Sequence, residues 1–166
     1  MTISATPSAR AILAPVVQRA VATTRIFTVR VADETFGIPV AAVHTVFMID
    51  RLSPVPLAPV AVMGLVNLRG RIVTALSLRR RLGLAELNVS TRVAIVMEYE
   101  GEMLALVVDE AGDVIDLDAH DQIELPRHMT ASRAAVTQAV YRYARGLLSI
   151  LDMTAIYALT PAISQS

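Results

Sequence analysis

The sequence predicts an all-β chain, a barrel or sandwich of many short strands with few helices. Three features predict it: the period of the apolar residues changes to two from Arg25, turn residues punctuate the many short apolar runs, and few segments suit a helix.

The first strand opens at Arg25, with Phe27, Val29 and Val31 facing one way and Thr28 and Arg30 the other, a half-buried pattern. Asp33-Glu34 turns the chain into Thr35-Phe36-Gly37-Ile38-Pro39, where Pro39 ends the second strand. Val40 to Val43 reads as a brief helical turn before the β-branched and aromatic strand Thr45 to Met48. Pro54, Pro56 and Pro59 then hold an extended segment that cannot lie inside a sheet.

The organising stretch follows, from Val62 to Leu84. Leu65, Val66 and Leu68 form one strand and Ile72 to Leu78 a buried second one, with Asn67-Leu68-Arg69-Gly70 between them. Gly70 permits the positive φ of a tight turn, and Asn67 suits a neighbouring irregular position. Arg69 is a planar donor fork at this bend, so it either satisfies a carboxylate or turn carbonyls, or is displayed to a partner.

Leu78 to Leu84 forms a short helix or turn ending at Gly83, and 85–90 reads as loop. Arg92 to Met97 points Val93, Ile95 and Met97 inward, Tyr99-Glu100-Gly101-Glu102 is a hairpin, and Met103 to Val108 is its apolar return. Val114, Ile115 and Leu117 give a further short strand, and 126–132 a loop. Val136 to Tyr143 fits a helix or a strand; Leu147 to Leu151 is a strand, after which Asp152 can cap a last helix through Ile156 and Leu159.

Composition bounds the function. With 166 residues, 54% of them hydrophobic, and a mean hydropathy of +0.54, the chain holds ample core for one domain or two small packed subdomains. It has no cysteine, which excludes disulfides and thiolate metal sites and fits a reducing compartment. The uncharged run from Leu52 to Leu68 is broken by three prolines and Gly64, so it is no membrane span. All 15 basic residues are arginine and the net charge is zero, against the basic excess of a nucleic-acid binder. The balance conceals a split: residues 1–92 carry 11 Arg and 4 acids, a net of +7, and residues 93–166 carry 4 Arg and 11 acids, a net of −7. Solvated faces account for most of these charges, yet the asymmetry favours oriented association with a different surface.

Catalytic and ligand motifs are missing. Neither a Gly-x-Ser-x-Gly elbow nor a glycine-rich phosphate loop occurs, and without lysine a P-loop is excluded. His44, His120 and His128, with Asp118 and Asp121, lack metal-ligand spacing and read as polar loop. Arg79-Arg80-Arg81 is expected to be a solvated helix face rather than a phosphate or RNA site.

Several of these segments resemble one family. Gly64-x-x-Asn67-Leu68-Arg69-Gly70-x-Ile72-Val73, with Leu78-Arg79 and Arg81-Leu82-Gly83, is similar to the CheW-like coupling proteins of bacterial chemosensory arrays. So are Phe36-Gly37-Ile38-Pro39-Val40-x-x-Val43, the Pro54-Val55-Pro56-x-x-Pro59 approach, Ala105 to Asp109 with Asp113-Val114-Ile115, and Leu147 to Asp152. The resemblance implies two packed five-stranded SH3-like β-barrels with short helices, and a strand at Val136 to Tyr143 turning at Arg145-Gly146. It divides the chain into a leader (1–23, with a short helix possible at Ala11 to Ala22), a CheW-like domain (24–160) and a tail (161–166), and it favours a loosely ordered leader over a transit peptide.

The function implied is a cytoplasmic, non-enzymatic adaptor between methyl-accepting chemoreceptor tips and the regulatory domain of a CheA-type histidine kinase, without cofactor, metal, nucleic acid or membrane insertion. Its receptor-facing residues would be Val43, Thr45, Val46, Gly64, Asn67, Leu68, Arg69 and Gly70, some lining the groove and some supporting it. The charge split would suit head-to-tail docking with the kinase domain or with other copies. The other class, an enzyme or small-ligand module on an SH3-like scaffold, needs a convergent polar pocket that the sequence does not supply. Three positions depart from the family pattern: Thr45 stands where Glu is frequent, Ser77 where Asp is, and Thr74 where Pro is usual. These departures are compatible with an alternative chemosensory pathway, such as one governing pili or surface behaviour.

Overall fold

The computed structural model describes residues 23–144 and 146–158; residues 1–22 of the leader, with the short helix possible at 11–22, Arg145 and residues 159–166 lie outside them. The strands are β1 (Thr23–Val31), β2 (Glu34–Pro39), β3 (Val43–Ile49), β4 (Val62–Leu68), β5 (Arg71–Ser77), β6 (Arg92–Tyr99), β7 (Glu102–Val108), β8 (Glu110–Asp118), β9 (Gln122–Ile123), β10 (Thr137–Tyr143) and β11 (Gly146–Leu151). Three short helices, α1 (Leu78–Arg81), α2 (Ala131–Ala134) and α3 (Met153–Tyr157), and two 3₁₀ turns complete the described chain.

Two sheets form, one ordered β8-β1-β2-β11-β10-β9 and one ordered β3-β6-β7-β5-β4. The fold is the all-β, two-barrel arrangement expected, with one difference: the first sheet has six strands, because the two-residue β9 adds to β10. The middle of the chain builds the five-stranded unit, while the six-stranded unit joins β1 and β2 to β8 through β11, with β2 and β11 running parallel.

The main core lies between the sheets. Val29, Val31, Phe36 and Ile38 of one meet Leu76, Ile95, Met97, Leu104 and Leu106 of the other, with Leu151, Met153 and Ile156 closing the cluster. A second cluster (Ile49, Val66, Val73, Ala75, Ala94, Ala105, Val107) fills the five-stranded unit, and a third (Ile26, Leu117, Leu148, Ile150) the six-stranded one. Strands lying between two clusters are buried on both faces. Thus Ile26 and Thr28 in β1 are buried beside Val29 and Val31, and Ala94 and Val96 in β6 beside Ile95 and Met97, where alternation alone suggested one solvated face. Thr28 tolerates burial because its hydroxyl donates to Asp113 O and accepts from Asp113 N–H, both at 2.9 Å, at a β-bulge.

Other expectations shift by a few residues. The strand at 114–117 is the longer β8, since it follows β1 over most of its length. The loop at 126–132 gives way to α2, capped by the Thr130 hydroxyl. Residues 137–143 are a strand, and their turn into β11 begins at Ala144, with Gly146 already paired to Tyr143. Asp152 caps α3 by accepting the Ala155 N–H, as its position suggests; Leu159 lies outside the described residues.

Candidate functional site

The residues expected to face a receptor fall on the two outer strands of the five-stranded sheet, β3 and β4. Pairing directions place Val43, which starts β3, and the β4–β5 turn at the same end of that sheet. Between the outer strands the chain closes the barrel at one point, where Ser53 and Leu65 exchange N–H···O bonds of 2.9 and 2.7 Å. Phe47 from β3 and Leu68 from β4 pack on the same inner cluster, which ties the two groups of residues to one support.

On β3 the alternation divides the candidates. A bulge between Val43 and Thr45 interrupts it: Val43 is half-buried and packs on the main core, Thr45 is half-buried, and His44, Val46 and Met48 are exposed. Val46 lies opposite Ile95, which is fully buried in the main core. The exposed face of β3 is therefore the core face continued past its cover. Met48, more exposed than Val46 at 58% against 42%, belongs to this strip and was missed from sequence, although its i, i+2 spacing from Val46 marks it.

The β4–β5 turn is narrower than the four residues expected. Leu68 pairs with Arg71, and Arg69 (φ 49°) and Gly70 (φ 86°) alone make the bend, both with the positive φ of a type I′ hairpin. Asn67 stays in the ladder and clamps the bend, its Oδ1 accepting the Gly70 N–H at 2.7 Å. A non-glycine residue at this φ is uncommon. Arg69 is exposed, and among the described residues its side chain makes no hydrogen bond or ion pair, so it satisfies neither a carboxylate nor turn carbonyls there.

Gly64 has a structural reason. It is buried, with φ +150°, and a Cβ there would sit 2.5 Å from Ser53 O, at the bond that closes the barrel. It supports the surface on which Asn67, Leu68 and Arg69 stand rather than forming part of it.

The Arg79-Arg80-Arg81 run is not the solvated face expected. Arg79 grips Asp109 with two bonds, Nε to Oδ1 at 2.7 Å and Nη2 to Oδ2 at 2.8 Å, and donates to Ala85 O at 2.8 Å. Arg80 pairs with Glu86 at 3.3 Å and donates to Val60 O and Val62 O, while Arg81 is half-buried. Asp109 was the partner the sequence could not supply, thirty positions away. Ser77 caps α1 by accepting the Arg80 N–H and also donates to Glu86.

The charge split also partly cancels within the molecule. Because β1 lies beside β8, Arg25 pairs with Asp116 at 3.2 Å and Arg30 with Glu110 at 3.4 Å. A cleft of about 400 Å³ between the two units is lined by Ala42, Glu98, Tyr99, Gln138, Asp152 and Thr154 among others. Asp152 is committed there to capping α3, and Tyr99 Oη to a 3.0 Å bond with Thr154 Oγ1. Among the described residues no group of three or more His, Asp or Glu could hold a metal ion.

Residues 25–160 match the model of the CheW-like domain. The chain belongs to the CheW-like family. This CheW-like chain is 24% identical over 139 residues to a chemotaxis protein CheW of Treponema pallidum, covering 81% of itself and 82% of that protein. It is 27% identical over 128 residues to a chemotaxis protein CheW of Bacillus subtilis, with 76% and 81% covered. The crystal structure of the scaffolding protein TtCheW from Thermoanaerobacter tengcongensis shares the fold of this CheW-like chain at a TM-score of 0.70 and 24% identity, over 79% of this chain and 90% of that one. Among the described residues no helix is long and apolar enough to cross a membrane.

Proposed function

We propose that this CheW-like chain is a cytoplasmic, non-enzymatic adaptor that couples methyl-accepting chemoreceptor tips to the regulatory domain of a CheA-type histidine kinase. Residues 24–160 act as the coupling domain. The receptor contact uses the rim formed by Val43, Thr45, Val46, Asn67, Leu68, Arg69 and Gly70, with Gly64 as its support.

The observation that carries this reading is the contrast between arginines. Arg79 and Arg80 are tied to carboxylates and carbonyls, whereas Arg69 is held out on a positive-φ turn and has no hydrogen bond or ion pair among the described residues. A guanidinium fork held out on a braced turn suits recognition of a carboxylate or carbonyl on a partner. The uncovered strip of Val46 and Met48 supplies apolar contact at the neighbouring edge.

Co-purification tests the proposal. The tagged chain should retain a receptor-tip fragment and the kinase regulatory domain, and the two together when both are present. Retention of neither would contradict it.

A further inference from the structure

The third core cluster opens to the outside at one end of the six-stranded unit. A hollow of about 330 Å³ is lined there by a residue from every strand of that sheet: Ile26 of β1, Pro39 of β2, Leu117 of β8, Gln122 of β9, Tyr141 of β10 and Ile150 of β11. It is the mouth of the barrel. Ile26, Leu117 and Ile150 are buried members of the cluster and give the hollow an apolar floor. Tyr141 packs against them, and its hydroxyl donates to Gln122 Oε1 at 3.3 Å, which fixes the ring as one wall. Thr24, Gln122 and Gln138, all uncharged, complete the lining. The charged residues adjoining the lining ones in sequence, Arg25, Asp116, Asp118, Asp121 and Arg142, are of both signs, and none lines the hollow. Apolar character, not charge, therefore selects what occupies it.

The chain delivers an apolar segment to this mouth. Thr23 pairs with Asp118, the last residue of β8, and the chain then leaves the ladder in the 3₁₀ turn Ala119–Asp121, so β8 offers no further partner at the rim. Immediately before Thr23 stands Val16-Val17-Gln18-Arg19-Ala20-Val21-Ala22, in which only Gln18 and Arg19 are polar. Val17 is six positions from Thr23, a reach of about 20 Å when extended, ample for a return to a hollow that Thr24 itself lines.

We propose that residues 16–22 fold back as a plug of the barrel mouth, with Val16 and Val17 seated on Leu117, Tyr141 and Ile150 of the same molecule. Burying the two valines removes apolar surface from water on both sides of the contact. Tethering selects the chain's own segment over a second copy or a separate partner, because a short linker gives it a high effective concentration. The plug then governs access to the mouth, since any other apolar side chain must first displace it. The proposal is independent of receptor or kinase binding.

Limited trypsin digestion of the full chain tests it, because Arg10 gives a cut before the plug and Arg19 a cut inside it. Cleavage follows the opened population when opening is fast, so the cut after Arg19, relative to that after Arg10, should be about tenfold or more slower in the wild type than in Val16→Ser, Val17→Ser. Both substitutions precede the packed strands. The wild-type ratio should not change with protein concentration. Methyl NMR locates the contact: the signals of Leu117 and Ile150 should shift between the two chains, and those of Leu57 and Ile72 on the five-stranded unit should not. Equal cleavage ratios in the two chains would leave the mouth to a separate partner and overturn the proposal. Protection that grows with concentration would assign the segment to the mouth of a second copy, and unmoved Leu117 and Ile150 signals would place the contact elsewhere; each would overturn it too.

Discussion

Arg79 and Asp109 meet in a two-bonded fork, 2.7 and 2.8 Å, and the same carboxylate accepts the Ala32 N–H at 2.7 Å. This joins α1 of the five-stranded unit to the β1–β2 turn of the six-stranded one. Burial works against the charge of Asp109, but the bonds from Arg79 and Ala32 outweigh it and hold the carboxyl below its ordinary range. Arg79→Ala should destabilise the chain by about 2 kcal/mol, because it strands a largely buried carboxylate. Urea unfolding measures this.

The same pair has a pH signature. A depressed carboxyl pKa adds stability that is fully present above the unfolded value of about 3.9 and is lost as pH falls through the lowered folded value. The stability difference between wild type and Asp109→Asn should therefore be flat above about pH 5 and shrink in more acidic solution. A difference that stays constant down to the lowest pH at which both fold would show that the charge of Asp109 contributes nothing.

Gly64→Ala should cost about 2 kcal/mol or more, since its Cβ would collide with Ser53 O while its φ is unfavourable for any side chain. Hydrogen exchange should report the damage first at the Leu65 and Ser53 amides, where the barrel closes. Slow exchange there in the variant would mean that the closure does not depend on glycine.

Ser77 illustrates a local compensation. Its hydroxyl donates to Glu86, so a carboxylate at this position would face another carboxylate. Ser77→Asp should destabilise by about 1 kcal/mol, and Glu86→Gln in the same chain should recover most of that loss. Additive effects of the two substitutions would contradict the pairing.

Period-two runs and turn residues made the strands legible, from the β1–β2 hairpin to the capped α3. What escaped depended on partners distant in sequence. Arg79 reads as surface until Asp109 is placed beside it, and β9 is too short to have a period of its own. The charge halves look segregated until β1 pairs with β8. At the candidate rim, Asn67 and Gly70 were readable as turn chemistry, because a positive-φ bend demands such residues. Sequence could not decide whether Arg69 was bonded or displayed, since that depends on which groups the fold leaves within its reach.

Arg69 is the recognition group proposed for the receptor. Calorimetric titration of a receptor-tip fragment into wild type and Arg69→Ala, with thermal melts of both, tests it most directly. Affinity should weaken by about tenfold or more, the loss of one charge-assisted hydrogen-bonded contact, with the midpoint shifted by no more than a few degrees. Unchanged affinity, or a collapsed midpoint, would contradict it.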